Sequence, residues 1–494
     1  MVTIDRVLIA NRGEIARRIA TALIEKEIIP VLPVTEKEWQ QAVPVFKDCR
    51  MVKAPDSIYL DSEALVALAQ AENCQAVHPG YGFLAENAEF AGACETNGLI
   101  FIGPPARAMD LMGHKERARE IAKKADVSPV PGFSIDGLNE LEIKERAESI
   151  GFPVLVKASL GGGGKGMRRV ESPEGLLDAI RMSKSESSAY FGSDEVFVEK
   201  YILKPRHIEI QIFSFPGGRT VYVGERECTI QRRHQKIIEE SPSPVVDEKL
   251  RRKMGEAAVR IADIVGYVGA GTVEFIVDEE LNFYFLEMNT RIQVEHPVTE
   301  EVFGVDLVAW QIEEALGIVE AIPQQKLKGA GHAMEFRIYA EDPAQGFMPS
   351  PGKILRYVEP AGPGIRVESA VAEGSEIFAD FDPMIAKVVV KGHSREHAME
   401  RARFALENFV ILGITTNREF LMQILSHPAF QAGELDTGFI DRYRDELKNA
   451  VDASIEPEIL LLAASLRNPT GKVAQGSVSV DENGYYPPVT TRIP

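Results

Sequence analysis

Two acidic residues on neighbouring strand-like runs are the first candidates for chemistry. The runs 274–277 and 283–289 are joined by the polar turn 278–282, and this pattern predicts an antiparallel hairpin. A turn centred between residues 280 and 281 places Glu274 opposite Glu287. Because facing carboxylates repel and are costly to bury without a cation, the pair predicts a divalent ion. Asn289 lies on the same face as Glu287 and adds a third oxygen ligand, a set that suits Mg²⁺ shared with nucleotide phosphates. A solvated pair of acids on an edge hairpin is the alternative.

Polar residues continue beyond Asn289 with the same spacing. Arg291, Gln293 and Glu295 recur at every second position, so the sequence predicts that the strand continues and presents all three on one face. A guanidinium group that can bind an anion, an amide and a carboxylate would then lie beside the metal ion. These groups together are typical of a reaction site.

A second polar cluster occupies residues 231–236 and contains two arginines, a histidine and Lys236. It is too short, in a protein of net charge −19, to indicate nucleic-acid binding, which requires an extended basic surface. The cluster could hold a small oxyanion. A solvated run of charges is the alternative.

A glycine-rich segment, residues 161–166, follows a strand-like run that ends at Lys157. Gly161, Gly163 and Gly166 satisfy the GxGxxG pattern, but no helix is predicted directly behind them, as a dinucleotide-binding fold requires. The P-loop pattern also fails, because Met167 stands where a lysine is needed. A hairpin that closes over phosphates therefore remains, with Lys157 neutralising phosphate charge; a surface loop without a ligand is the alternative.

The surrounding pattern predicts a multidomain protein of the α/β and α+β classes. Strand-like runs alternate with helical runs through residues 7–102, which predicts a Rossmann-like N-terminal domain over 1–112 with a parallel sheet. Residues 113–203 form a linker and a small glycine-rich lid, 204–330 a central catalytic body, and 331–445 a β-rich C-terminal domain. No role is predicted for the tail, 446–494.

The composition narrows the functional class. The chain has 494 residues, of which 45% are hydrophobic and 26% charged, and no apolar run is long enough to span a bilayer. The four cysteines show no CxxC spacing, which argues against a disulfide framework or a thiolate zinc site. The first residues lack the features of an export signal, so we expect a cytoplasmic protein.

Several long motifs together resemble the biotin carboxylases of the ATP-grasp superfamily. They comprise residues 9–18, 78–87, 112–115, the glycine-rich segment, 231–236, 287–297 and 335–337, and the resemblance extends over residues 4–440. It implies a Rossmann-like N-terminal domain, an ATP-grasp lid and central domain, and a β-rich biotin carboxylase C-terminal domain.

The resemblance also implies roles for individual residues. An ATP site would be formed by Lys115, Lys157, Gly163, Gly164, Glu199, Lys200, Ile202, His207, Gln231, His234, Glu274 and Glu287. Bicarbonate would be held by Lys236, Arg291, Gln293 and Val294, biotin by Tyr81, Glu86 and Arg337, and Mg²⁺ or Mn²⁺ by Glu274, Glu287 and Asn289. Glu295 would be the general base, and the catalytic set would be Glu295, Arg337, Lys236 and Arg291.

These roles imply a reaction in two steps. Glu295 takes a proton from bicarbonate, which attacks the γ-phosphate of ATP to give carboxyphosphate. Carboxyphosphate then releases CO₂ beside biotin, while Arg337 stabilises the biotin enolate. Closing of the glycine-rich segment would keep water away from the intermediate.

None of the thirteen methionines is followed by lysine, so a biotin attachment site of the Ala-Met-Lys-Met type is missing from this sequence. We therefore expect a separate biotin carboxyl carrier protein, a carboxyltransferase subunit and, by resemblance, a homodimer. Residues 381–387 and 413–417 look closer to carboxylases of propionyl-CoA, methylcrotonyl-CoA or pyruvate than to acetyl-CoA carboxylase.

Two other functions compete with this interpretation. One is another ATP-grasp ligase that forms an acyl phosphate, such as a carbamoyl-phosphate synthetase-like protein; Glu86 and Arg337 argue against it because the resemblance ties them to biotin. The other is a non-catalytic nucleotide-binding subunit. Lys236, Arg291, Glu295 and Arg337 argue against that, since a pure binder needs no base beside a bicarbonate site.

Overall fold

A computed structural model describes residues 3–158, 167–191, 194–379 and 382–449. The glycine-rich segment and the tail beyond residue 449 lie outside the described residues. Among the described helices, none combines the length and the apolar composition that a bilayer-spanning helix needs.

The N-terminal part alternates strands and helices, as the sequence predicted. Its elements are β1 (Arg6–Ile9), α1 (Gly13–Ile24), β2 (Ile29–Thr35), α2 (Trp39–Val45), β3 (Arg50–Ala54), α3 (Ser62–Ala71), β4 (Ala76–His78), α4 (Ala88–Thr96), β5 (Ile100–Phe101) and α5 (Ala106–Gly113). The five strands form a parallel sheet in the order β3-β2-β1-β4-β5. Strand β3 was not predicted, because its residues are only partly buried and give a weak hydrophobic signal.

A small antiparallel unit follows. It contains α6 (Lys115–Lys124), β6 (Gly132–Ser134), α7 (Glu140–Ile150), β7 (Val154–Ala158), β8 (Arg168–Val170), α8 (Leu176–Phe191) and β9 (Val196–Lys200). Its four strands are ordered β6-β9-β7-β8. Asn139 caps α7 in a capping box with Glu142, which explains why that helix begins where it does.

The rest of the chain is built around one large sheet. The elements as far as residue 339 are β10 (Arg206–Phe215), β11 (Arg219–Arg232), β12 (Gln235–Ser241), α9 (Glu248–Val265), β13 (Gly269–Val277), β14 (Phe283–Asn289), α10 (His296–Phe303), α11 (Leu307–Ala315) and β15 (His332–Tyr339). Asp247 caps the N-terminus of α9, and Gly266, in the left-handed conformation, ends it.

The C-terminal elements are short except where they join or cover this sheet. They are β16 (Glu341–Asp342), β17 (Met348–Pro349), β18 (Gly352–Lys353), β19 (Arg356–Val358), β20 (Ile365–Ser369), β21 (Glu376–Ile377), β22 (Met384–Gly392), α12 (Arg395–Glu407), β23 (Val410–Leu412), α13 (Arg418–Ser426), α14 (Pro428–Gln431), α15 (Phe439–Arg442) and α16 (Arg444–Asn449). Helix α12 ends at Glu407, and residues 410–412 pair with β19 as a strand.

The large sheet is antiparallel throughout and has the order β14-β13-β10-β11-β12-β15-β22-β20. It therefore continues across the domain boundary that we expected near residue 330. One face is apolar: Ile208, Ile210 and Phe275 belong to a core cluster that also contains residues of α9. The opposite face carries buried charged residues, and the candidate site lies there.

Helix α9 approaches the sheet closely at one glycine. A methyl group on Gly255 would lie 2.5 Å from the Tyr222 ring, at the ring atoms nearest the backbone, which cannot swing away. Gly92, inside α4, has no atom within 4 Å of the same position. Packing against Tyr222 therefore requires glycine at residue 255, whereas packing does not require glycine at residue 92.

We predict opposite effects for the same substitution at these two positions. Gly255→Ala gains about 1 kcal/mol of helix propensity but loses roughly 1–3 kcal/mol by overpacking, and the 2.5 Å contact favours a net destabilisation of about 1–2 kcal/mol. Gly92→Ala should stabilise by about 0.5–1 kcal/mol. Thermal unfolding of both variants checks this, and a stabilised Gly255→Ala protein would contradict the packing argument.

Candidate functional site

A row of charged side chains crosses the polar face of the large sheet. Residues directly opposite each other in an antiparallel ladder share a face, and the register pairs Glu287 with Glu274, Glu274 with Glu209, and Glu209 with Arg226. Further along the sheet, Arg337 pairs with Lys387, and Lys387 with Glu368. The same alternation that places isoleucines on the apolar face therefore gathers these charges on the other.

Lys236 is the cation at the centre of this row. Its Nζ lies 2.6 Å from Glu209 Oε2, 2.8 Å from Glu274 Oε1 and 2.7 Å from Glu295 Oε1. Burial favours the neutral amine, but these carboxylates outweigh it and raise the pKa of Lys236 well above its ordinary value. The ammonium group therefore stays charged and holds the three acids in fixed positions.

Glu274 opposes Glu287, as the hairpin argument predicted. Burial alone would raise the pKa of Glu274, but Lys236 and His207, whose Nε2 lies 2.7 Å from Glu274 Oε2, hold it well below its ordinary value. The Asn289 amide nitrogen donates to Glu274 Oε1 at 2.9 Å. Glu274 is therefore ionised.

Glu287 differs from its partner. Burial raises the pKa of Glu287, and the charge of Glu274 raises it further. Within the part of the chain that the structure describes, the Glu287 carboxylate forms no hydrogen bond or ion pair. A pair of facing acids, one buried and one partly buried, whose second carboxylate is unpaired among the described residues fits a divalent cation, which would relieve the repulsion. Asn289 Oδ1 accepts from Arg291 at 3.1 Å, so it could bind the ion only after exchanging that hydrogen bond.

The strand predicted to continue through residues 291–295 does not form. Strand β14 ends at Asn289, the next residues are irregular, and α10 begins at His296, with Pro297 in its first turn. The alternation prediction was wrong there, because six residues of loop separate the strand from the helix.

The three polar side chains of this loop still converge on the site through side-chain contacts. Gln293 donates to Glu274 Oε1 at 2.7 Å and accepts from Arg226 at 2.8 Å. Arg291 Nε lies 3.1 Å from Glu86 Oε2.

Glu295 lies between two cations. Lys236 contacts its Oε1, and Arg337 Nη2 lies 3.0 Å from its Oε2. Burial would raise the pKa of Glu295, but Lys236, Arg337 and Arg226 hold it far below its ordinary value. Arg337 also forms an ion pair with Glu239. Glu295 is therefore a buried, ionised carboxylate that can accept a proton.

A cluster of cations lies toward the antiparallel unit. Burial and then the neighbouring charge of Lys157 lower the pKa of Lys115, which begins α6. Lys157, on β7, pairs with Glu199 on β9, and Arg119 Nη1 lies 2.6 Å from the other oxygen of Glu199. Arg119 also packs over the Phe197 ring. Arg119 could not be selected from the sequence, because it lies within a charged helical run.

The cluster at 231–236 is a hairpin turn. Gln231 pairs with Lys236, and the two residues at the tip, Arg233 and His234, both have positive φ angles. Two consecutive residues with positive φ angles are typical of the two-residue turn whose twist matches that of the flanking strands. The Asn-Gly pair that usually marks such a turn in a sequence is missing here. Gln231 contacts His207 Nδ1 at 2.7 Å, which fixes the histidine beside Glu274.

These residues line one cleft of about 540 Å³. Of the predicted site residues, the cleft brings together Lys115, Lys157, Glu199, Lys200, Ile202, His207, Gln231, His234, Lys236, Glu274, Glu287, Asn289, Arg291, Gln293, Val294, Glu295 and Arg337. Gly163 and Gly164 lie outside the described residues. Tyr81 and Glu86 do not line the cleft, but Glu86 Oε1 accepts from the Thr290 backbone N–H at 2.9 Å.

The sequence did not identify several buried partners of the site. Glu209 and Arg226 are fully buried, and Arg226 also contacts Gln211, Thr272 and Thr299. Glu209 alternates with Ile208 and Ile210, a pattern that normally indicates a strand with one solvated face, and Arg226 lies in a charged run between Glu225 and Glu227. These charged side chains are buried only because other parts of the chain cover both faces of the sheet.

Comparison with known families assigns three consecutive parts of the chain. Residues 3–109 match the biotin carboxylase N-terminal domain, residues 114–321 the ATP-binding domain of the carbamoyl-phosphate synthase L chain, and residues 335–442 the biotin carboxylase C-terminal domain.

Curated relatives match most of the chain. Biotin carboxylase 1 of Bacillus subtilis is 47% identical over 446 residues, which is 89% of this chain and 99% of the relative. The mitochondrial methylcrotonoyl-CoA carboxylase subunit alpha of Dictyostelium discoideum is 45% identical, over 94% of this chain and 66% of the relative. The chain thus spans about two thirds of the length of such alpha subunits.

Solved structures agree. The biotin carboxylase domain dimer of 2-oxoglutarate carboxylase from Hydrogenobacter thermophilus, in complex with MgADP, ADP and bicarbonate, has a TM-score of 0.86 at 42% identity, covering 90% of this chain and 99% of that one. Biotin carboxylase from Campylobacter jejuni, in complex with an ATP-type nucleotide, has a TM-score of 0.85 at 40% identity, covering 89% and 99%.

The acid beside Arg337 should make stability depend on pH. Burial raises the pKa of Glu239 to about 7, and its oxygens face the equally buried Glu335 across the ladder. Between pH 4.5 and 7 the folded state then holds a proton that the unfolded state has lost, so unfolding becomes easier as pH rises through this window. Glu239→Gln cannot titrate, and its melting temperature relative to the native protein should rise from pH 5 to pH 8.

Thermal unfolding at several pH values checks this prediction. The exposed Glu145→Gln is the matched control and should keep a constant difference from the native protein. Parallel curves for Glu239→Gln and the native protein would show that Glu239 ionises normally.

Proposed function

The chain belongs to the biotin carboxylase family, and we propose that it carboxylates biotin using ATP and bicarbonate. The observation that carries the proposal is the position of Glu295. Lys236 joins Glu295 to Glu274 on the nucleotide side, and Arg337 contacts the other oxygen of Glu295. One ionised carboxylate thus lies between the proposed nucleotide site and the arginine proposed to serve biotin.

Bicarbonate would bind to Lys236, Arg291, Gln293 and the Val294 backbone. Its negative charge would share Lys236 with Glu295 and so weaken the hold of that ammonium group on the carboxylate. The proton affinity of Glu295, low in the free protein, would then rise when the substrate is present. Glu295 can therefore take the bicarbonate proton while the bicarbonate oxygen attacks the γ-phosphate of ATP, which forms carboxyphosphate and releases ADP.

The nucleotide would occupy the end of the cleft formed by Lys115, Lys157 and Glu199, with Lys200, Ile202, His207, Gln231 and His234 nearby. The two lysines neutralise phosphate charge. Glu274 and Glu287, with Asn289 after exchange of its hydrogen bond, would hold Mg²⁺, which supplies charge neutralisation at the transferred phosphoryl group.

Biotin would approach Arg337 once carboxyphosphate has formed. Carboxyphosphate breaks down to CO₂ and phosphate, and the phosphate takes the proton from the ureido nitrogen of biotin. The guanidinium of Arg337 then stabilises the enolate oxygen while the nitrogen attacks CO₂. Tyr81 and Glu86 are proposed to complete the biotin site; Glu86 also orients Arg291.

The partner proteins and the location are proposals as well. Membership of the biotin carboxylase family supports a biotin carboxyl carrier protein as the source of biotin. The names of the relatives support an acyl-CoA acceptor, the biotin carboxylase family supports a carboxyltransferase partner, and the dimer among the similar structures supports a homodimer. Because the relatives include mitochondrial proteins, the cytoplasmic location stays a prediction.

We predict that the purified protein cleaves ATP only when bicarbonate is present, and that free biotin increases the rate. The physical reason is that Glu295 has no proton to accept until bicarbonate binds. ADP release, measured with and without biotin, tests this. Biotin-independent turnover with ammonia or glutamine would instead favour the carbamoyl-phosphate synthetase-like alternative.

A second prediction concerns the base. Glu295→Gln should lower the turnover rate by roughly 10²–10⁴-fold while leaving ATP affinity within about twofold, because it removes the proton acceptor but no group proposed to contact the nucleotide. Glu240→Gln is the matched control, since Glu240 is equally buried and paired with His332 and Arg395 outside the cleft. Loss of ATP affinity in Glu295→Gln would show that the base is misplaced.

A further inference from the structure

Lys387 is a fully buried lysine directly behind the site. It lies on β22, opposite Arg337 of β15 on one side and Glu368 of β20 on the other. Its side chain has no exposed surface and does not line the cleft, so it is not accessible to a ligand there. No role for this residue follows from the reaction described above.

The ammonium group of Lys387 joins three separate parts of the chain. Its Nζ donates to the Val294 carbonyl oxygen at 2.8 Å, lies 2.7 Å from Glu368 Oε2 and is 3.8 Å from Glu14 Oε1. It also lies 5.9 Å from the centre of the Tyr81 ring. Burying an ammonium group is costly, and the fold offsets that cost with Glu368 and Glu14.

The contact with Val294 is the informative one. Lys387 could neutralise Glu368 without a hydrogen bond to a backbone carbonyl. Its hydrogen bond to the Val294 carbonyl oxygen reaches the irregular loop that carries the proposed base. Residues 290–295 have no partner strand, so side chains must fix them: Glu86 holds the Thr290 N–H, Arg226 and Glu274 hold Gln293, and Lys387 holds the Val294 carbonyl. Val294 immediately precedes Glu295.

We propose that Lys387 is a positioning residue for Glu295, acting through the Val294–Glu295 peptide. Its charge-assisted hydrogen bond fixes the carbonyl of that peptide and so aims the Glu295 side chain at its two cations. The inference rests on the proposed function, because it assumes that Glu295 is the base. It adds a residue that touches no substrate yet sets the geometry of proton transfer.

The test uses variants that separate positioning from charge balance. Lys387→Met removes both the donor and the charge. The double variant Lys387→Met/Glu368→Gln also removes the nearest counterion, which leaves Glu14, 3.8 Å from Nζ in the native protein, as the remaining carboxylate that loses its cation. Lys391→Met is the matched control: Lys391 lies four residues further along β22 and donates to the backbone carbonyl of Glu301, away from the cleft.

We expect both Lys387 variants to lose turnover and to keep nucleotide binding. A displacement of the base by about 1 Å costs on the order of 10²-fold, so the turnover number for bicarbonate-dependent ATP cleavage should fall roughly 10- to 100-fold. The KM for ATP should stay within about twofold, and the KM for bicarbonate should rise. The double variant should recover melting temperature but not turnover, and Lys391→Met should keep both.

Each result bears on the inference. A Lys387→Met/Glu368→Gln protein with native turnover would overturn it, because Lys387 would then only balance Glu368. Equal losses in Lys391→Met would also overturn it, since the effect would not depend on Val294. A native protein that cleaves no ATP with bicarbonate and biotin would overturn the proposed function itself, a result distinct from failure of this inference alone.

Discussion

The site depends on the ammonium group of Lys236 and the three carboxylates around it. Glu209, Glu274 and Glu295 would repel each other strongly in a water-poor interior, and each alone would become protonated. Lys236 contacts all three, while Arg226 and Arg337 pair with Glu209 and Glu295. Three cations thus balance three acids. Removing one member of such a set leaves an uncompensated buried charge, which typically costs about 3–5 kcal/mol.

The large antiparallel sheet makes this arrangement possible. Its period-two alternation places isoleucine and phenylalanine against α9 and charges on the opposite face. Adjacent strands then supply successive members of the row, from Glu287 on β14 to Glu368 on β20. Rigid strands position the groups proposed for nucleotide and metal, whereas the proposed base lies on a loop that side chains hold in place.

The sequence predicted those parts of the site that depend on local geometry. The pairing of Glu274 with Glu287 followed from the position of a turn, and the alternation of strands and helices predicted the parallel N-terminal sheet. The continuation of the strand to Glu295 was wrong, because alternation in type also occurs in a loop, and Pro297 marks the start of a helix rather than the end of a strand.

Long-range burial was not predictable in the same way. From the sequence alone, Glu209, Arg226 and Lys387 would be predicted to be solvated strand residues. Only the packing of distant segments places them in the interior. Arg119 was missed for a similar reason: its partner Glu199 is 80 residues away in the chain. Pairs of this kind depend on the tertiary arrangement, about which local spacing carries no information. The proposed division into domains and the proposed roles of the site residues stay predictions.

The pairing of β12 with β15 has a consequence for how such a chain can be built. Strand β12 belongs to the ATP-binding match, and strand β15 leads into the C-terminal match. Main-chain hydrogen bonds join the two strands, with Ile238 opposite Phe336 and Glu239 opposite Glu335. The two matched segments therefore meet in the middle of a continuous sheet and not at a joint. A cut there would expose a long, hydrogen-bonding strand edge and separate Lys236 from Arg337. An exchange of segments that preserves this sheet must therefore keep residues 206–392, which carry its eight strands, together.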